Sequence, residues 1–448
     1  MTEHSQPQPF EAARSGPLKG RVRVPGDKSI SHRSLMFGAL ATGETIITGL
    51  LEAGDVLGTA AVLRQLGVPI EKLKDDAWRV HGRGVGGLTE PKGDLDFGNS
   101  GTGTRLMLGV LAGHGFPVRV TGDASLSRRP MERVLKPLKQ MGFEVLDGDK
   151  TTLPLRVRGR SRPIPITYEL DVPSAQVKSA ILLAGLHAQG ETTVVEREAT
   201  RDHTERMLRH FGADIRVTET PGRRTITVKG DVELKGRDVF VPADPSSAAF
   251  LIAAGAIVPG SEVTVEGVLT NPTRTGFYTT LKEMGADITF LNERIEGGEP
   301  VADIRVRASH LHGVRVPAER APSMIDEYPI LAVVAAFAVG QTRMEGLAEL
   351  RAKESDRLAA TAAGLIANGV VARVEGDALE VEGRTGVPGG GMVVTELDHR
   401  IAMAFLVMGL VAQKPIIVDD IGMIATSFPQ FTKLMTGLGA VLRPAVAR

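Results

Sequence analysis

The chain has 448 residues, 42% of them hydrophobic, which is enough for two or more domains with substantial buried cores. Its 53 Lys and Arg balance 53 Asp and Glu, so no net charge attracts it to nucleic acid or an anionic membrane, and no apolar run is long enough to span a bilayer. It has no cysteine, which excludes disulfides, thiolate metal sites and a cysteine nucleophile and is typical of a cytoplasmic protein, as we expect this one to be.

The first informative stretch is Val24–Arg33. A Pro-Gly turn there is followed by Asp27 and Ser29, which favour a helix that begins near Ser29. The backbone amides at such a helix start favour an anion, and Lys28 and Arg33 add positive charge beside them. The alternative interpretation is a basic helix start exposed to solvent.

One pattern occurs six times along the chain: a small apolar helix, a strand, and a second helix that ends in glycine. The first helices are predicted at 34–40, 104–111, 178–186, 248–257, 329–338 and 401–410. The second helices end at Gly67, Gly142, Gly212, Gly285, Gly369 and Gly439, where glycine favours the left-handed cap. These units are longer than solenoid repeats, so the pattern predicts an α/β chain with three units in each of two domains, divided near Val241–Pro245.

Polar residues gather at the starts of these helices. They include Lys28, Ser29, Arg33, Asn99, Ser100, Arg105, Arg129, Ser174, Gln176, Arg201, Asp326, Glu327, Lys353, Glu354, Arg357, Asp398 and Arg400. If the helices of both domains run parallel, many of these starts meet in one cationic cleft that also holds a few carboxylates. Such a cleft predicts a small polyanion as its ligand.

The carboxylates are candidates for acid-base catalysis. Asp326 and Glu327 precede an apolar helix, and Glu354 lies between Lys353 and Arg357. Nearby cations favour the charged form of a carboxylate, whereas burial opposes it. Groups of this kind serve as general acids or bases, and the alternative role for each is helix capping and local ion pairing.

Seven ordered segments carry a family resemblance. They are Pro-Gly-Asp-Lys-Ser-Ile-Ser-His-Arg at 25–33, Gly-Asn-Ser-Gly-Thr at 98–102, Arg-Arg-Pro-Met at 128–131, Ser-Ala-Gln-Val-Lys-Ser at 174–179, Asn-Pro-Thr-Arg-Thr-Gly at 271–276, Lys-Glu-Ser-Asp-Arg at 353–357 and Leu-Asp-His-Arg-Ile-Ala-Met at 397–403. Together they resemble the signature segments of the 5-enolpyruvylshikimate-3-phosphate (EPSP) synthase family, and the resemblance covers about residues 16–443.

The resemblance implies the two-lobed α/β enolpyruvyl transferase fold, with six βαβαββ repeats, three per domain. An N-terminal arm and strand at 1–26 would pack with the second domain. The first domain would span 27–243 and the second 244–448.

The resemblance also implies a reaction. The enolpyruvyl group of phosphoenolpyruvate would be transferred to the 5-hydroxyl of shikimate 3-phosphate with release of phosphate, a step of the shikimate pathway to aromatic amino acids. No metal and no redox cofactor is implied, because pairing two anions is the main task of such an enzyme. We expect no nucleic-acid or membrane partner, and a monomer.

The resemblance assigns roles residue by residue. Shikimate 3-phosphate would contact Lys28, Ser29, Arg33, Ser174, Ala175, Gln176, Arg201, Asp326 and Lys353. Phosphoenolpyruvate would contact Lys28, Asn99, Gly101, Arg129, Gln176, Glu354, Arg357 and Arg400. The catalytic residues would be Asp326, which takes the proton of the attacking hydroxyl, Glu354, which exchanges a proton at the methylene carbon, and Lys28, which stabilises the tetrahedral intermediate.

Three departures from the commoner family pattern resemble the second, more divergent class of the enzyme. Leu106 stands where Pro is usual, Arg201 where Tyr is frequent, and the segment at 425–429 lacks a lysine. Glyphosate-tolerant members have Ala where this chain has Gly101. We therefore expect glyphosate to inhibit this chain in competition with phosphoenolpyruvate.

Two alternatives remain open from the residues. One is the sister transferase that acts on UDP-N-acetylglucosamine, although its usual active-site cysteine is absent from this sequence. The other is a repeat-built binding module for anionic ligands or RNA, against which the zero net charge and the scarcity of aromatic residues both argue.

Overall fold

The computed structural model describes residues 7–445, so residues 1–6 of the predicted N-terminal arm lie outside the described part of the chain. The chain forms two compact domains. The first comprises Gly26–Val241 together with Glu296–Gly298, and the second comprises the residues up to Pro25, Pro242–Ile295 and the residues from Glu299 onward. The domain boundaries predicted from the sequence lie at 26/27 and 243/244. The two compact domains instead meet at Pro25/Gly26 and Val241/Pro242, one and two residues earlier.

The described residues contain six α-helices in each domain. In the first domain they are α1 (Lys28–Leu40), α2 (Gly54–Gln65), α3 (Gly101–Leu111), α4 (Glu132–Gln140), α5 (Ala175–Gly185) and α6 (His203–His210). In the second they are α7 (Pro245–Ile257), α8 (Gly276–Glu283), α9 (Tyr328–Ala336), α10 (Arg357–Ala367), α11 (His399–Gly409) and α12 (Phe431–Gly437). Short 3₁₀ helices lie at Lys74–Asp76, Leu126–Arg128, Pro272–Arg274, Ala318–Ser323, Ile325–Glu327, Ala348–Ala352 and Gly422–Thr426.

The strands of the described residues range from two residues to ten. They are β1 (Phe10–Ala13), β2 (Lys19–Val22), β3 (Ala41–Thr42), β4 (Glu44–Thr48), β5 (Ile70–Lys72), β6 (Trp78–His81), β7 (Leu95–Asp96), β8 (Pro117–Thr121), β9 (Glu144–Val145), β10 (Leu155–Arg158), β11 (Thr167–Glu169), β12 (Glu191–Glu196), β13 (Ile215–Thr220), β14 (Arg223–Lys229), β15 (Leu234–Lys235), β16 (Val239–Phe240), β17 (Glu262–Leu269), β18 (Asp287–Glu296), β19 (Glu299–Arg307), β20 (Arg315–Val316), β21 (Gly340–Met344), β22 (Val371–Glu375), β23 (Ala378–Gly383), β24 (Met392–Val393), β25 (Ile416–Val418) and β26 (Val441–Pro444).

Six four-stranded sheets share one topology. In the first domain their orders are β16-β4-β6-β5, β7-β8-β10-β9 and β11-β12-β14-β13, and β15 pairs with β3 in a separate ribbon. In the second domain they are β2-β17-β19-β18, β20-β21-β23-β22 and β24-β25-β1-β26. In all six the first pair is parallel and the second antiparallel. The prediction of six βαβαββ repeats, three per domain, is confirmed.

Three repeats draw one strand from a distant part of the chain. The first-domain sheet built on β4 takes its parallel edge strand from β16. In the second domain, β2 supplies the parallel strand beside β17, and β1 lies between β25 and β26. The chain therefore begins in the second domain, crosses to complete the first, and returns.

The first helix of each repeat forms the interior of its domain, and we call α1, α3, α5, α7, α9 and α11 the interior helices. Every residue of α7, α9 and α11 is buried. A helix that is apolar on all sides is stable in water only when it is surrounded, so it specifies a core position. The predicted glycine follows the last residue of each second helix by two positions, and all six glycines have φ between 79° and 109°.

Candidate active site

The interior helices of the first domain are buried except near their N-termini. The residues of α1, α3 and α5 that solvent reaches are Lys28, Ser29, Thr102, Arg105, Ala175 and Gln176. His32 links the first two helices, because its Nδ1 lies 2.8 Å from the hydroxyl of Thr59 on α2 and its Nε2 3.5 Å from the hydroxyl of Ser100. The starts of α1 and α3 therefore lie close together.

Helix α1 begins at Lys28, one residue before its predicted start, because the Asp27 carboxylate accepts a hydrogen bond from the Ile30 amide at 2.8 Å. Lys28 Nζ lies 3.1 Å from Asp55 Oδ2, and the Lys28 side chain is 15% exposed. Solvent therefore reaches Lys28 and Ser29 at this helix start, whereas Arg33 is only 3% exposed.

Arg33 connects three parts of the first domain. Its Nε donates to the Thr204 hydroxyl at 2.7 Å, one terminal nitrogen donates to the Ser179 hydroxyl at 2.8 Å, and the other donates to the Ser29 carbonyl at 2.9 Å. These three hydrogen bonds, to hydroxyl and carbonyl oxygens, fix the orientation of the guanidinium.

The start of α3 brings a second arginine to the site. Ser100 caps the helix and accepts from the Gly103 amide at 3.0 Å. Arg129 is 6% exposed and donates to Asn99 Oδ1 at 2.8 Å and to the Ser125 hydroxyl at 3.3 Å. Its guanidinium is therefore held beside the first turn of α3, where helix amides favour an anion.

Gly101, the first residue of α3, is closely approached by two arginine side chains. A β-carbon placed there would lie 2.9 Å from a terminal nitrogen of Arg129 and 3.1 Å from one of Arg105. Arg105 donates to Gln176 Oε1 at 2.9 Å, and Gln176 Nε2 donates to the Thr102 hydroxyl at 3.0 Å. Glycine at 101 thus lets two guanidinium groups approach the helix start, and Gln176 ties α5 to α3.

The remaining predicted first-domain residues lie at the starts of α5 and α6. Ser174 caps α5 and accepts from the Val177 amide at 3.4 Å, and Ala175 is the first residue of that helix. Arg201 is half-buried in the loop before α6. The structure thus gathers the predicted first-domain residues around the N-termini of α1, α3, α5 and α6.

The second domain holds a different kind of cluster, centred on Arg357 at the start of α10. Its side chain is 1% exposed and contacts three carboxylates: Asp398 through Nε at 2.7 Å, Asp326 at 3.2 Å, and Glu354. Lys353 Nζ lies 3.3 Å from the same Asp326 oxygen. The structure therefore brings four of the five predicted second-domain residues into direct contact.

Arg400, the fifth, joins this cluster through the backbone. Asp398 caps α11 and accepts from the Arg400 amide at 2.9 Å. An Arg400 terminal nitrogen donates to the Asp326 carbonyl at 3.3 Å and lies 4.0 Å from Glu327. One buried carboxylate, Asp398, thereby positions both Arg357 and Arg400.

The charge state of this cluster follows from its contacts. Burial lowers the pKa of Arg357, but the adjacent Asp398, Glu354 and Asp326 carboxylates more than compensate and raise its pKa above the ordinary value. A guanidinium that stays protonated favours the ionised form of the carboxylates it contacts. Asp326 and Glu354 keep some exposure, since their side chains are 13% and 14% exposed.

Sequence reasoning left two contributors without a role. Asp398 is fully buried and was named only as a polar residue at a helix start. Asp123 accepts from Asn99 Nδ2 at 2.7 Å but lies in a segment for which no role was predicted. The Asp-His-Arg run at 398–400 was a usable signal for the first, because an Asp cap brings its carboxylate close to the residues that follow it.

The donors of the first-domain site suit anionic oxygens. Guanidinium, ammonium and helix-start amides all donate hydrogen bonds, whereas a metal ion requires lone-pair ligands. The carboxylates of the second-domain cluster contact Arg357. Over residues 7–445, no helix combines the length and the apolar character that a membrane crossing requires.

Comparison with known proteins first defines the class. An enolpyruvyl transferase from Streptomyces tendae superposes with a TM-score of 0.75 at 20% identity, covering 99% of this chain and 100% of that one, so this is the enolpyruvyl transferase fold. An EPSP synthase structure from Acinetobacter baumannii superposes with a TM-score of 0.86 at 46% identity, over 98% of this chain and 100% of that chain.

The family follows from the sequence comparisons. The family described as EPSP synthase (3-phosphoshikimate 1-carboxyvinyltransferase) matches residues 12–435. Curated relatives with the name 3-phosphoshikimate 1-carboxyvinyltransferase are 60% identical in Methylorubrum populi, over 100% of each chain, and 62% identical in Parvibaculum lavamentivorans, over 95% of each chain. The chain belongs to the EPSP synthase family, so the resemblance is confirmed and both alternative interpretations are set aside.

Proposed function

We propose that the first-domain site binds the anionic groups of the two substrates and that the second-domain carboxylates carry out the proton transfers. The chain transfers the enolpyruvyl group of phosphoenolpyruvate to the 5-hydroxyl of shikimate 3-phosphate and releases phosphate, in the shikimate pathway. The observation that carries the division of roles is the cluster of three carboxylates around Arg357, whereas the first domain places Lys28, Arg33 and Arg129 at or beside its helix starts.

Shikimate 3-phosphate binds through the starts of α1, α5 and α6. The proposed contacts are Lys28, Ser29, Arg33, Ser174, Ala175, Gln176 and Arg201, with Asp326 and Lys353 from the second domain. Support comes from the fixed Arg33 guanidinium and from the α5 amides, which Ser174 organises by capping. A phosphate at such a site gains charge-assisted hydrogen bonds and the favourable end of a helix dipole.

Phosphoenolpyruvate binds at the start of α3. The proposed contacts are Lys28, Asn99, Gly101, Arg129 and Gln176, with Glu354, Arg357 and Arg400 from the second domain. Support comes from the packing at Gly101, where two guanidinium groups lie near 3 Å from the position of a β-carbon. Donors fixed in advance lower the entropic cost of holding two mutually repelling anions together.

Asp326 is the general base for the attacking hydroxyl. Lys353 and Arg357 lie within 3.3 Å of its carboxylate, and both favour the ionised form that a base requires. As the hydroxyl oxygen bonds to C2 of phosphoenolpyruvate, Asp326 takes the hydroxyl proton and Glu354 passes a proton from solvent to C3. When the C2–O bond to phosphate then breaks, phosphate leaves with the electron pair of that bond and Glu354 takes a proton back from C3. Lys28 stabilises the tetrahedral intermediate between the two steps.

Three finer expectations belong to this proposal. Glyphosate competes with phosphoenolpyruvate, because Gly101 leaves room for a longer anion beside Arg129 and Arg105. The protein works as a monomer, and it works in the cytoplasm.

The test is release of inorganic phosphate from the purified full chain. Phosphate should appear only when shikimate 3-phosphate and phosphoenolpyruvate are present together, and glyphosate should suppress it in competition with phosphoenolpyruvate. Absence of phosphate release with both substrates would overturn the proposed function. Release that glyphosate leaves unchanged would overturn only the inhibitor assignment.

A further inference from the structure

Asp123 lies in the turn that follows β8, and both of its carboxylate oxygens are used. Oδ1 accepts from the Leu126 amide at 2.7 Å, and Oδ2 accepts from Asn99 Nδ2 at 2.7 Å. Its own amide donates to the Gly98 carbonyl at 2.8 Å, and its carbonyl accepts from the Ser127 amide at 2.9 Å. The residue is therefore anchored on the backbone while its side chain reaches Asn99.

This contact selects one orientation of the Asn99 amide. A side-chain amide has a donor end and an acceptor end, whereas an ionised carboxylate can only accept. With Asp123 on its donor end, Asn99 must present Oδ1 in the other direction, and that oxygen accepts from Arg129 at 2.8 Å. If the amide turned over, its oxygen would face the Asp123 carboxylate and its NH₂ group would face the Arg129 guanidinium, so both hydrogen bonds would be lost.

The chain of contacts ends at the guanidinium beside α3. Arg129 is 6% exposed, and one of its terminal nitrogens lies 2.9 Å from the position of a β-carbon on Gly101. A shift of this guanidinium would alter the anion site at the helix start, because charge-assisted hydrogen bonds depend steeply on geometry. The orientation of Asn99 is thus coupled to the anion site.

We propose that Asp123 is a positioning residue for phosphoenolpyruvate binding, acting through Asn99 on Arg129. This inference rests on the proposed function, since it assumes that Arg129 contacts that substrate. Asp123 itself touches no substrate. Its effect is specific to one substrate, because the shikimate 3-phosphate contacts around Arg33 use Thr204, Ser179 and Ser29.

The test substitution is Asp123→Asn. An asparagine offers one acceptor where the aspartate offers two, so it cannot satisfy both the Leu126 amide and the Asn99 NH₂ group. We expect the KM for phosphoenolpyruvate to rise roughly tenfold or more, the size of a lost hydrogen bond to a charged group. The KM for shikimate 3-phosphate should change less than about twofold, and the thermal midpoint should change little.

Two further variants separate positioning from stability. Ser127→Ala removes a 3.3 Å contact to the Gly122 carbonyl in the same turn and leaves Asn99 untouched, so both KM values should stay unchanged. Asp123→Glu keeps a carboxylate that can only accept, so its KM for phosphoenolpyruvate should lie between those of Asp123→Asn and the unsubstituted chain. The same variant replaces Asp123→Asn as the test if Asp123→Asn does not fold.

An unchanged KM for phosphoenolpyruvate in folded Asp123→Asn would overturn the inference. So would an equal rise in both KM values, or a value for Asp123→Glu no better than that for Asp123→Asn. If Asp123→Asn does not fold, the inference requires Asp123→Glu to raise the KM for phosphoenolpyruvate alone. Failure of the proposed function itself would appear separately, as absence of phosphate release by the unsubstituted chain.

Discussion

The two domains hold their functional arginines in opposite ways. In the first domain, Arg33 donates to hydroxyl and carbonyl oxygens, and Arg129 donates to an amide and a hydroxyl oxygen. In the second domain, Arg357 contacts the carboxylates of Asp398, Asp326 and Glu354. Both arrangements fix a guanidinium, the first through hydroxyl, carbonyl and amide oxygens and the second through three carboxylates.

The difference shows how one repeat can serve two chemical purposes. Neutral acceptors orient a cation and leave its field available to an incoming phosphate or carboxylate. A carboxylate beside a cation is favoured in its ionised form, which is the form that accepts a proton. The same repeat therefore places arginines at helix starts in one domain and an arginine among three carboxylates in the other, which is the difference that the proposed division of roles uses.

Substituting the proposed base should give the largest effect. We expect Asp326→Asn to lower the rate of phosphate release by about 10²–10⁴-fold, because it removes the proton acceptor while keeping the size of the side chain. The control is Asp94→Asn, which breaks an exposed ion pair with Arg119 and should leave the rate unchanged. Full turnover by Asp326→Asn would remove the base assignment.

Arg357 should matter for stability in a way that an exposed arginine does not. Arg357→Gln leaves the fully buried Asp398 carboxylate without its cation, and stranding a buried charge costs about 3–5 kcal/mol of unfolding free energy. Arg351→Gln breaks the exposed pair with Asp356 and should cost less than about 1 kcal/mol. Urea unfolding of the two variants measures the difference, and equal losses would contradict the charge-cluster account.

Acid should destabilise the first domain through two buried histidines. Burial lowers the pKa of His32 to about 3, with Lys28 and Arg33 adding to the effect, and burial likewise lowers the pKa of His187 to about 3. Their contribution to stability is complete above the unfolded-state value near 6.5 and is lost as the pH falls toward 3. Between pH 7 and pH 5, each of the two histidines should lower the free energy of unfolding by about 2 kcal/mol.

The single tryptophan provides the measurement. Trp78 lies on β6 and is 6% exposed, so its fluorescence follows unfolding of the first domain. Urea midpoints at pH 7 and pH 5 should differ less in His32→Gln than in the unsubstituted chain. A pH dependence that is the same in both would show that His32 does not contribute.

Gly101→Ala should give the smallest of these effects, although it bears directly on the inhibitor. The added methyl group displaces two flexible guanidinium groups by a few tenths of an ångström. We expect inhibition by glyphosate to weaken about tenfold, with a smaller rise in the KM for phosphoenolpyruvate, because the longer anion needs more of the same space. Inhibition that stays unchanged in Gly101→Ala would contradict this account of Gly101.

Much of the fold could be predicted from the sequence, because each repeat carries two strong local signals. Helices such as α7 and α9 are apolar on every side, and each second helix is followed by a glycine with positive φ. The parallel edge strands could not be predicted from hydrophobic periodicity, since β7, β16 and β24 have only two residues each. Their positions are set by long-range pairing.

The helix starts of the site could be predicted from the sequence, but the contacts between their side chains could not. Asp27, Ser100 and Ser174 are residues typical of helix N-caps, so the local sequence predicts the polar clusters that follow them. The partners of the arginines are far away along the chain: Arg33 and Thr204 are 171 residues apart, and Arg357 and Asp398 are 41 apart. Such pairings depend on the packing of different repeats.

The most direct test of the division of roles is calorimetric titration of shikimate 3-phosphate into two variants. Arg201→Gln alters the first-domain site, and Asp326→Asn alters the second-domain cluster. We predict that affinity falls about tenfold or more in Arg201→Gln, the size of a lost charged hydrogen bond, and stays within about threefold in Asp326→Asn. The reverse order, with binding lost in Asp326→Asn and kept in Arg201→Gln, would contradict the account.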